Sequence, residues 1–150
     1  MTRRLVLVRH AKAQQGGPDR DRALAKRGVA DATTLGGWLA EQNVVPDRVV
    51  LSPSLRTRET WQHAALSGGP EPELDERIYE NTVDDLRAVI RETPDHVQTL
   101  VLVGHNPSMG ELAHAYDSTL REYPTGATAI FEMADWNSPG RLTAFVVPRG

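Results

Sequence analysis

Two arginines and two histidines stand in short segments whose residue types suit chemistry at phosphorus: Arg9-His10, Arg56 in Ser52-Pro53-Ser54-Leu55-Arg56, and His105 in Gly104-His105-Asn106-Pro107. A guanidinium stays charged at any working pH, and its planar fork matches a pair of phosphate oxygens. Neutral imidazole is a competent nucleophile toward phosphorus, and a covalent intermediate on it splits one difficult hydrolysis into two easier transfers. In a loose phosphoryl-transfer transition state the charge rests on the equatorial oxygens. Arg9, Arg56 and a protonated His105 would stabilise that charge by position and electrostatics while His10 takes the phosphoryl group. This scheme requires no metal and no cofactor. The other histidines, His63, His96 and His114, show no spacing to carboxylates or to each other that resembles a zinc motif and read as surface or packing residues.

Those segments can cooperate only if the fold brings them to one edge. Each follows a short, continuous apolar run, at 5–8, 49–51 and 100–103. Continuous rather than alternating runs are expected of strands covered on both faces, the environment of a parallel sheet. Parallel strands would point all three segments to the carboxyl edge, where open α/β sheets bind their ligands. Helical spacing lies between the runs: Gly28, Ala32, Leu35 and Leu39 share one face, and Val83, Leu86, Val89 and Ile90 share another behind a Thr82 to Asp85 capping pattern. Ser52 is expected as an N-cap with Pro53 at the first helical position, and Asn106-Pro107 repeats the device, so two helix N-termini would add backbone donors for an anion. Later runs at 129–131 and 144–147, separated by a turn around Trp136 to Gly140, predict an antiparallel hairpin and hence a mixed, mostly parallel sheet. Loops are expected at 14–21, 67–72 and 117–128. The alternation of strand and helix indicates an α/β domain.

With 150 residues, 39% of them hydrophobic, the chain suits one domain over residues 1–150. Net charge is −3 and pI about 5.9, with both signs mixed along the length, which argues against a nucleic-acid or anionic-membrane partner. The lack of cysteine excludes a disulfide framework, a thiolate zinc site and a cysteine nucleophile. The start Met1-Thr2-Arg3-Arg4 is basic, but the apolar run behind it is far too short for a secretory core or a membrane span, so a cytoplasmic location is expected.

The motifs Leu7-Val8-Arg9-His10, Ser52-Pro53-x-x-Arg56-Thr57-x-x-Thr60 and Gly104-His105-Asn106-Pro107 resemble the signatures of the histidine phosphatase superfamily, to which phosphoglycerate mutases and acid phosphatases belong. Arg9-His10-Ala11-Lys12 and Asp21-Arg22-x-Leu24-x-x-x-Gly28, with the short chain, are most similar to the small SixA-type phosphohistidine phosphatases. The resemblance covers essentially the whole chain. It implies a phosphoglycerate mutase-like three-layer α/β/α sandwich, transient phosphorylation of His10, and a phosphoryl site made by Arg9, Arg56 and His105. The superfamily often has glycine where this chain has Ala11, which removes the freedom to adopt positive φ. Mutase-like members protonate the leaving group with a glutamate from an intermediate segment. Glu80 is the best candidate here, with Asp19, Asp21 and Glu76 as others.

A phosphohistidine substrate needs less acid help than an alkyl ester, because its P–N bond breaks readily once the imidazole is protonated. A short chain also leaves little room for insertions that close over the site, so a protein surface can reach it. Lys12, Gln15 and Arg22, near His10 in sequence, and Asn106 beside His105 are expected to contact substrate. The leading substrate is therefore phosphohistidine on a protein, such as a histidine-phosphotransfer domain. A small phosphate ester of a nucleotide, sugar or metabolite is the alternative, and a non-catalytic module that binds a phosphorylated partner is a third reading. Mutase activity is weaker, because it demands a site closed against water.

Overall fold

The three continuous apolar runs become neighbours in a single sheet. The computed structural model describes residues 2–79 and 82–150. Its elements are β1 (Arg3–Arg9), α1 (Lys26–Glu41), β2 (Arg48–Leu51), α2 (Leu55–Ala64), β3 (Glu73–Leu74), α3 (Val83–Arg91), β4 (Thr99–Gly104), α4 (Ser108–Tyr116), β5 (Thr128–Met133) and β6 (Arg141–Val146). The strand order is β3-β2-β4-β1-β5-β6. β1 and β2 both run parallel to β4, and the registers set Arg9 opposite Gly104 and Leu51 opposite Val103. The residues that follow these three strands therefore leave the same edge side by side. β5 and β6 are antiparallel, as the hairpin pattern predicts.

Alternate side chains of the central strands feed two separate cores. Leu5, Leu7, Leu100 and Leu102 face Leu86, Val89 and Ile90 of α3 and Met109 and Leu112 of α4. Val6, Val8, Val101 and Val103 face Leu35 and Leu39 of α1, with Trp61 of α2 packed against them. This two-sided demand explains why the strands read as unbroken apolar runs. Each such side chain contributes about 1.5–3 kcal/mol on burial. The result is the expected three-layer α/β/α sandwich with a mostly parallel mixed sheet.

Local signals hold with some corrections. α3 carries the full capping box: Thr82 Oγ1 accepts from the Asp85 N–H, and the Asp85 carboxylate accepts from the Thr82 N–H. The expected start of α2 is displaced. Helix α2 opens at Leu55, with Ser54 rather than Ser52 at the N-cap and no side-chain cap, because the Ser52 hydroxyl is engaged by His105 and by the Ser54 N–H. At α4 the helix opens at Ser108, and Asn106 Oδ1 accepts from the Gly110 N–H at 3.1 Å. The edge strand β3 has no apolar pattern to announce it; both its residues are exposed, and Arg48 grips Glu73 at 2.9 and 3.0 Å beside it. No helix among the described residues is long and apolar enough to cross a membrane.

Gly28 connects this frame to the site. A Cβ there would lie 2.0 Å from the Lys12 carbonyl oxygen, which accepts from the Ala25 N–H at 2.8 Å. Gly28→Ala should cost about 1–3 kcal/mol of stability, measured by urea unfolding, and should lower turnover by pushing residues 11–13 out of place.

Candidate active site

His10 leaves β1 directly and is 7% exposed. Its backbone N–H is bound by the Gly104 carbonyl at 3.0 Å, so β4 fixes it from beside. The next residue, Ala11, donates its N–H to Thr60 Oγ1 of α2 at 2.9 Å. His10 Nδ1 lies 2.7 Å from the Ala11 carbonyl oxygen. A carbonyl only accepts, so Nδ1 carries the proton and Nε2 keeps its lone pair. Burial, followed by the nearby Arg56, Arg9 and Arg22 charges, lowers the His10 pKa to about 4 against the opposing Ala11 bond. The ring is a neutral imidazole at pH 7 with Nε2 unprotonated.

His105 follows β4 and its ring centroid is 5.2 Å from that of His10. Arg56 Nη2 donates to His105 Nδ1 at 3.3 Å, and His105 Nε2 donates to Ser52 Oγ at 2.8 Å. Burial, then the His10 and Arg56 charges, lowers its pKa to about 3. Buried beside a guanidinium that donates to it, the His105 ring is neutral in the resting protein. The rings of Tyr79 and His105 stand nearly perpendicular with their centroids 5.6 Å apart.

The arginines come from two elements. Arg9, the last residue of β1, is half-buried and donates from Nη1 to the Tyr123 carbonyl at 3.2 Å. Burial lowers its pKa. Arg56 sits in the first turn of α2, its position fixed by residues that tie that turn to β2; Thr57 Oγ1 donates to the Ser52 carbonyl at 2.6 Å. The Nε groups of Arg9 and Arg56 are buried and lack partners among the described residues. Such orphaned donors suit an oxyanion, which can satisfy several N–H groups at once.

One cleft of about 290 Å³ is lined by Arg9, His10, Lys12, Gln15, Arg22, Arg56, His105 and Asn106, together with Ala13 and Thr125. The fold thus brings together every sequence-predicted site residue except Glu80, which lies outside the described residues. Lys12 and Gln15 are exposed at the rim. Asn106 lines the cleft, but its amide is committed, donating to the Tyr123 carbonyl at 2.8 Å and accepting from Gly110. Among the alternative acids, Glu76 is clamped by both terminal nitrogens of Arg20, and that contact lowers its pKa. Asp19 is held at about 2, chiefly by the Tyr79 hydroxyl and then by Arg56. Both are carboxylates at pH 7. Ser52, Asp19 and Tyr79 are the contributors that sequence reading places elsewhere or passes over. Among the described residues no group of three or more His, Asp or Glu is placed to hold a metal ion.

A neutral buried histidine beside two guanidiniums and a second histidine suits chemistry on a phosphoryl group. The model of the histidine phosphatase superfamily (branch 1) matches residues 5–122, and the chain belongs to that superfamily. An uncharacterized protein of Mycobacterium leprae is 32% identical, the match covering 95% of this chain and 100% of that protein. Among solved structures, the candidate phosphohistidine phosphatase SixA of Nakamurella multipartitia superposes with a TM-score of 0.88 at 27% identity, over 99% of this chain and 97% of that one. That of Agrobacterium tumefaciens gives 0.87 at 28% identity over 97% and 98%. The protein histidine phosphatase SixA complexed with tungstate shares the fold, with a TM-score of 0.82 at 23% identity over 97% of each chain. The family and these neighbours support phosphatase activity.

The histidine pKa values bear on stability. Between pH 6.5 and about 4 the unfolded chain takes up a proton at position 10 that the folded chain refuses, so stability falls as pH falls through that window. His105 acts with the same sign, its window reaching to about pH 3. In urea unfolding at pH 7 and pH 4.5, wild type should lose about 2 kcal/mol more than His10→Gln.

Proposed function

We propose that the chain removes the phosphoryl group from phosphohistidine on a protein, through a phosphohistidine intermediate on His10 and without a metal ion. The observation that carries the reading is the fixed tautomer of His10. Its Nδ1 proton is engaged by the Ala11 carbonyl, and Nε2 offers a lone pair in a cleft shared with Arg9, Arg56 and His105.

In the first step His10 Nε2 attacks phosphorus and the P–N bond to the substrate imidazole breaks. The substrate imidazole departs neutral, one ring nitrogen already carrying the proton that made it a good leaving group. In the second step water attacks the phosphoryl group on His10, releasing inorganic phosphate and restoring the neutral ring. Arg9 and Arg56 hold the equatorial oxygens throughout. A bound dianion reverses the local sign of charge, so His105 gains a proton as the phosphoryl group enters and becomes a further donor to it.

Two features support phosphohistidine over an alkyl ester. Asp19 and Glu76 are bound by arginines and kept ionised, which suits neither to protonate a poor leaving group. Lys12 and Gln15 stand exposed at the rim, where a protein surface can meet them. The SixA proteins of Nakamurella and Agrobacterium, both candidate phosphohistidine phosphatases, are similar to this chain over nearly its whole length.

The test is turnover of a 32P-labelled phosphohistidine protein beside p-nitrophenyl phosphate and a panel of metabolite phosphates. Wild type should trap label on the enzyme and prefer the phosphohistidine protein, with activity intact in EDTA and tolerant of Glu80→Gln. His10→Ala should lose the label and about 10³-fold or more of turnover. Preference for an ester with Glu80 essential would reassign the site to small-molecule phosphates. Binding of phosphoprotein without turnover would make it a recognition module. Activity lost in EDTA and restored by a divalent metal would sink the metal-free mechanism.

A further inference from the structure

Two arginines of the cleft assigned above to the phosphoryl group are already held by a carboxylate of the same chain that does not itself line the cleft. Arg56, whose side chain is 7% exposed, donates from Nη1 to the Asp19 backbone carbonyl at 2.7 Å and from Nη2 to Asp19 Oδ2 at 3.1 Å. Arg22 donates from Nε and Nη2 to Asp19 Oδ1 at 3.3 and 3.1 Å. Tyr79, whose ring packs against that of His105, donates its hydroxyl to Oδ2. One aspartate therefore neutralises two of the three arginines that line the cleft. It does so from a loop that has room to yield. Residues 14–21 are all exposed, and Gly16 and Gly17 sit at φ +85° and +75°, with nothing near the Cβ positions.

We infer that Asp19 competes with the substrate for the arginines of the oxyanion site: its carboxylate holds Arg56 and Arg22 in the resting protein and is exchanged for phosphoryl oxygens when substrate binds. The inference rests on the reading of this cleft as the phosphoryl site. Its physical basis is charge. Arg56 meets the cleft with a limited set of N–H groups, and two of them are spent on Asp19, with another on His105. A carboxylate and a phosphoryl dianion on the same guanidinium repel each other, in an environment that screens charge less than bulk water does. The exchange also reaches His105, because Arg56 Nη2 cannot keep donating to Nδ1 once that nitrogen takes a proton. The guanidinium freed from both partners then turns its donors to the phosphoryl oxygens. Asp19 thus fixes the geometry of Arg56 before binding and sets the threshold that an anion must exceed to displace it, which discriminates for dianionic phosphoryl groups over singly charged anions.

The experiment is calorimetric titration of inorganic phosphate into wild type, Asp19→Asn, Asp19→Ala, Asp19→Glu and Tyr79→Phe, with KM and kcat measured on the same proteins. Asp19→Asn keeps an acceptor for Arg56 without the charge, so it separates competition from folding defects. Phosphate should bind Asp19→Asn and Asp19→Ala about tenfold more tightly than wild type, the scale of one charge-assisted contact. Tyr79→Phe, which loosens the carboxylate, should tighten binding by a smaller factor, and Asp19→Glu should stay near wild type. KM should fall with the phosphate Kd in Asp19→Asn. Unchanged or weaker phosphate binding in both Asp19→Asn and Asp19→Ala would overturn the exchange while leaving the phosphoryl site intact. Absence of phosphate binding in every protein, wild type included, would overturn the site assignment as well.

Discussion

The site depends first on the parallel register of β1 and β4. Setting Arg9 opposite Gly104 delivers His10 and His105 from adjacent strand ends, and the His10 N–H to Gly104 carbonyl bond extends the ladder one residue into the site. A slip of one residue would turn every β1 side chain to the opposite face and bring Leu5 and Leu7 among the partners of Val6 and Val8. The two cores therefore forbid the same error that would separate the histidines. Packing on both faces of the sheet is, in this sense, what makes the chemistry at its edge reproducible.

The second constraint is electrostatic. Burying two histidines near three arginines would be prohibitive if the rings were charged, and the structure resolves this by keeping them neutral with defined tautomers. Each ring is held by a group of one hydrogen-bonding sense: the Ala11 carbonyl can only accept from His10, and the Arg56 guanidinium can only donate to His105. The remaining nitrogens follow. Nε2 of His10 is left as a base, and Nε2 of His105 as a donor to Ser52. The residue types around the rings thus specify protonation as firmly as they specify position. Ala11 takes part through its backbone, and its side chain packs with Leu24 and Ala32. It is not among the residues at positive φ, so the alanine at this position carries no backbone strain.

Much of this was legible in the sequence because it rests on local signals. Short continuous apolar runs mark strands buried on both faces, and polar residues immediately after such runs must emerge at an edge. The Thr82 to Asp85 pattern likewise predicts a cap within one helical turn. What escaped reading lies in contacts between distant segments. Asp19 meets Arg56 across 37 positions, Tyr79 meets Asp19 across 60, and Ser52 meets His105 across 53. Ser52 before a proline looks like an N-cap on local grounds, and only the approach of β4 to β2 recruits its hydroxyl to a histidine. The charge state of His105 was equally hidden, since it follows from burial and from the sense of a hydrogen bond rather than from residue type.

The two sides of the cleft differ in what holds them. The floor is set by strand ends and by the first turns of helices rooted in apolar cores, where displacement would expose several buried side chains. The roof is the β1–α1 loop. Its apolar anchors, Ala13 and Leu24, are buried at its two ends and bridge to one another. Between them the loop is secured by side-chain charge, through Arg20 to Glu76, Arg20 over the Tyr79 ring at 4.2 Å, and Asp19 to Arg22 and Arg56. The Arg20 to Glu76 pair, exposed on both sides, contributes only about 0.2–1 kcal/mol and weakens with salt, whereas Asp19 reaches a guanidinium buried in the floor at Arg56. A roof tied mainly by side chains opens more readily than a floor rooted in apolar cores. This division places rigidity under His10 and compliance in the loop above it, in a chain of 150 residues.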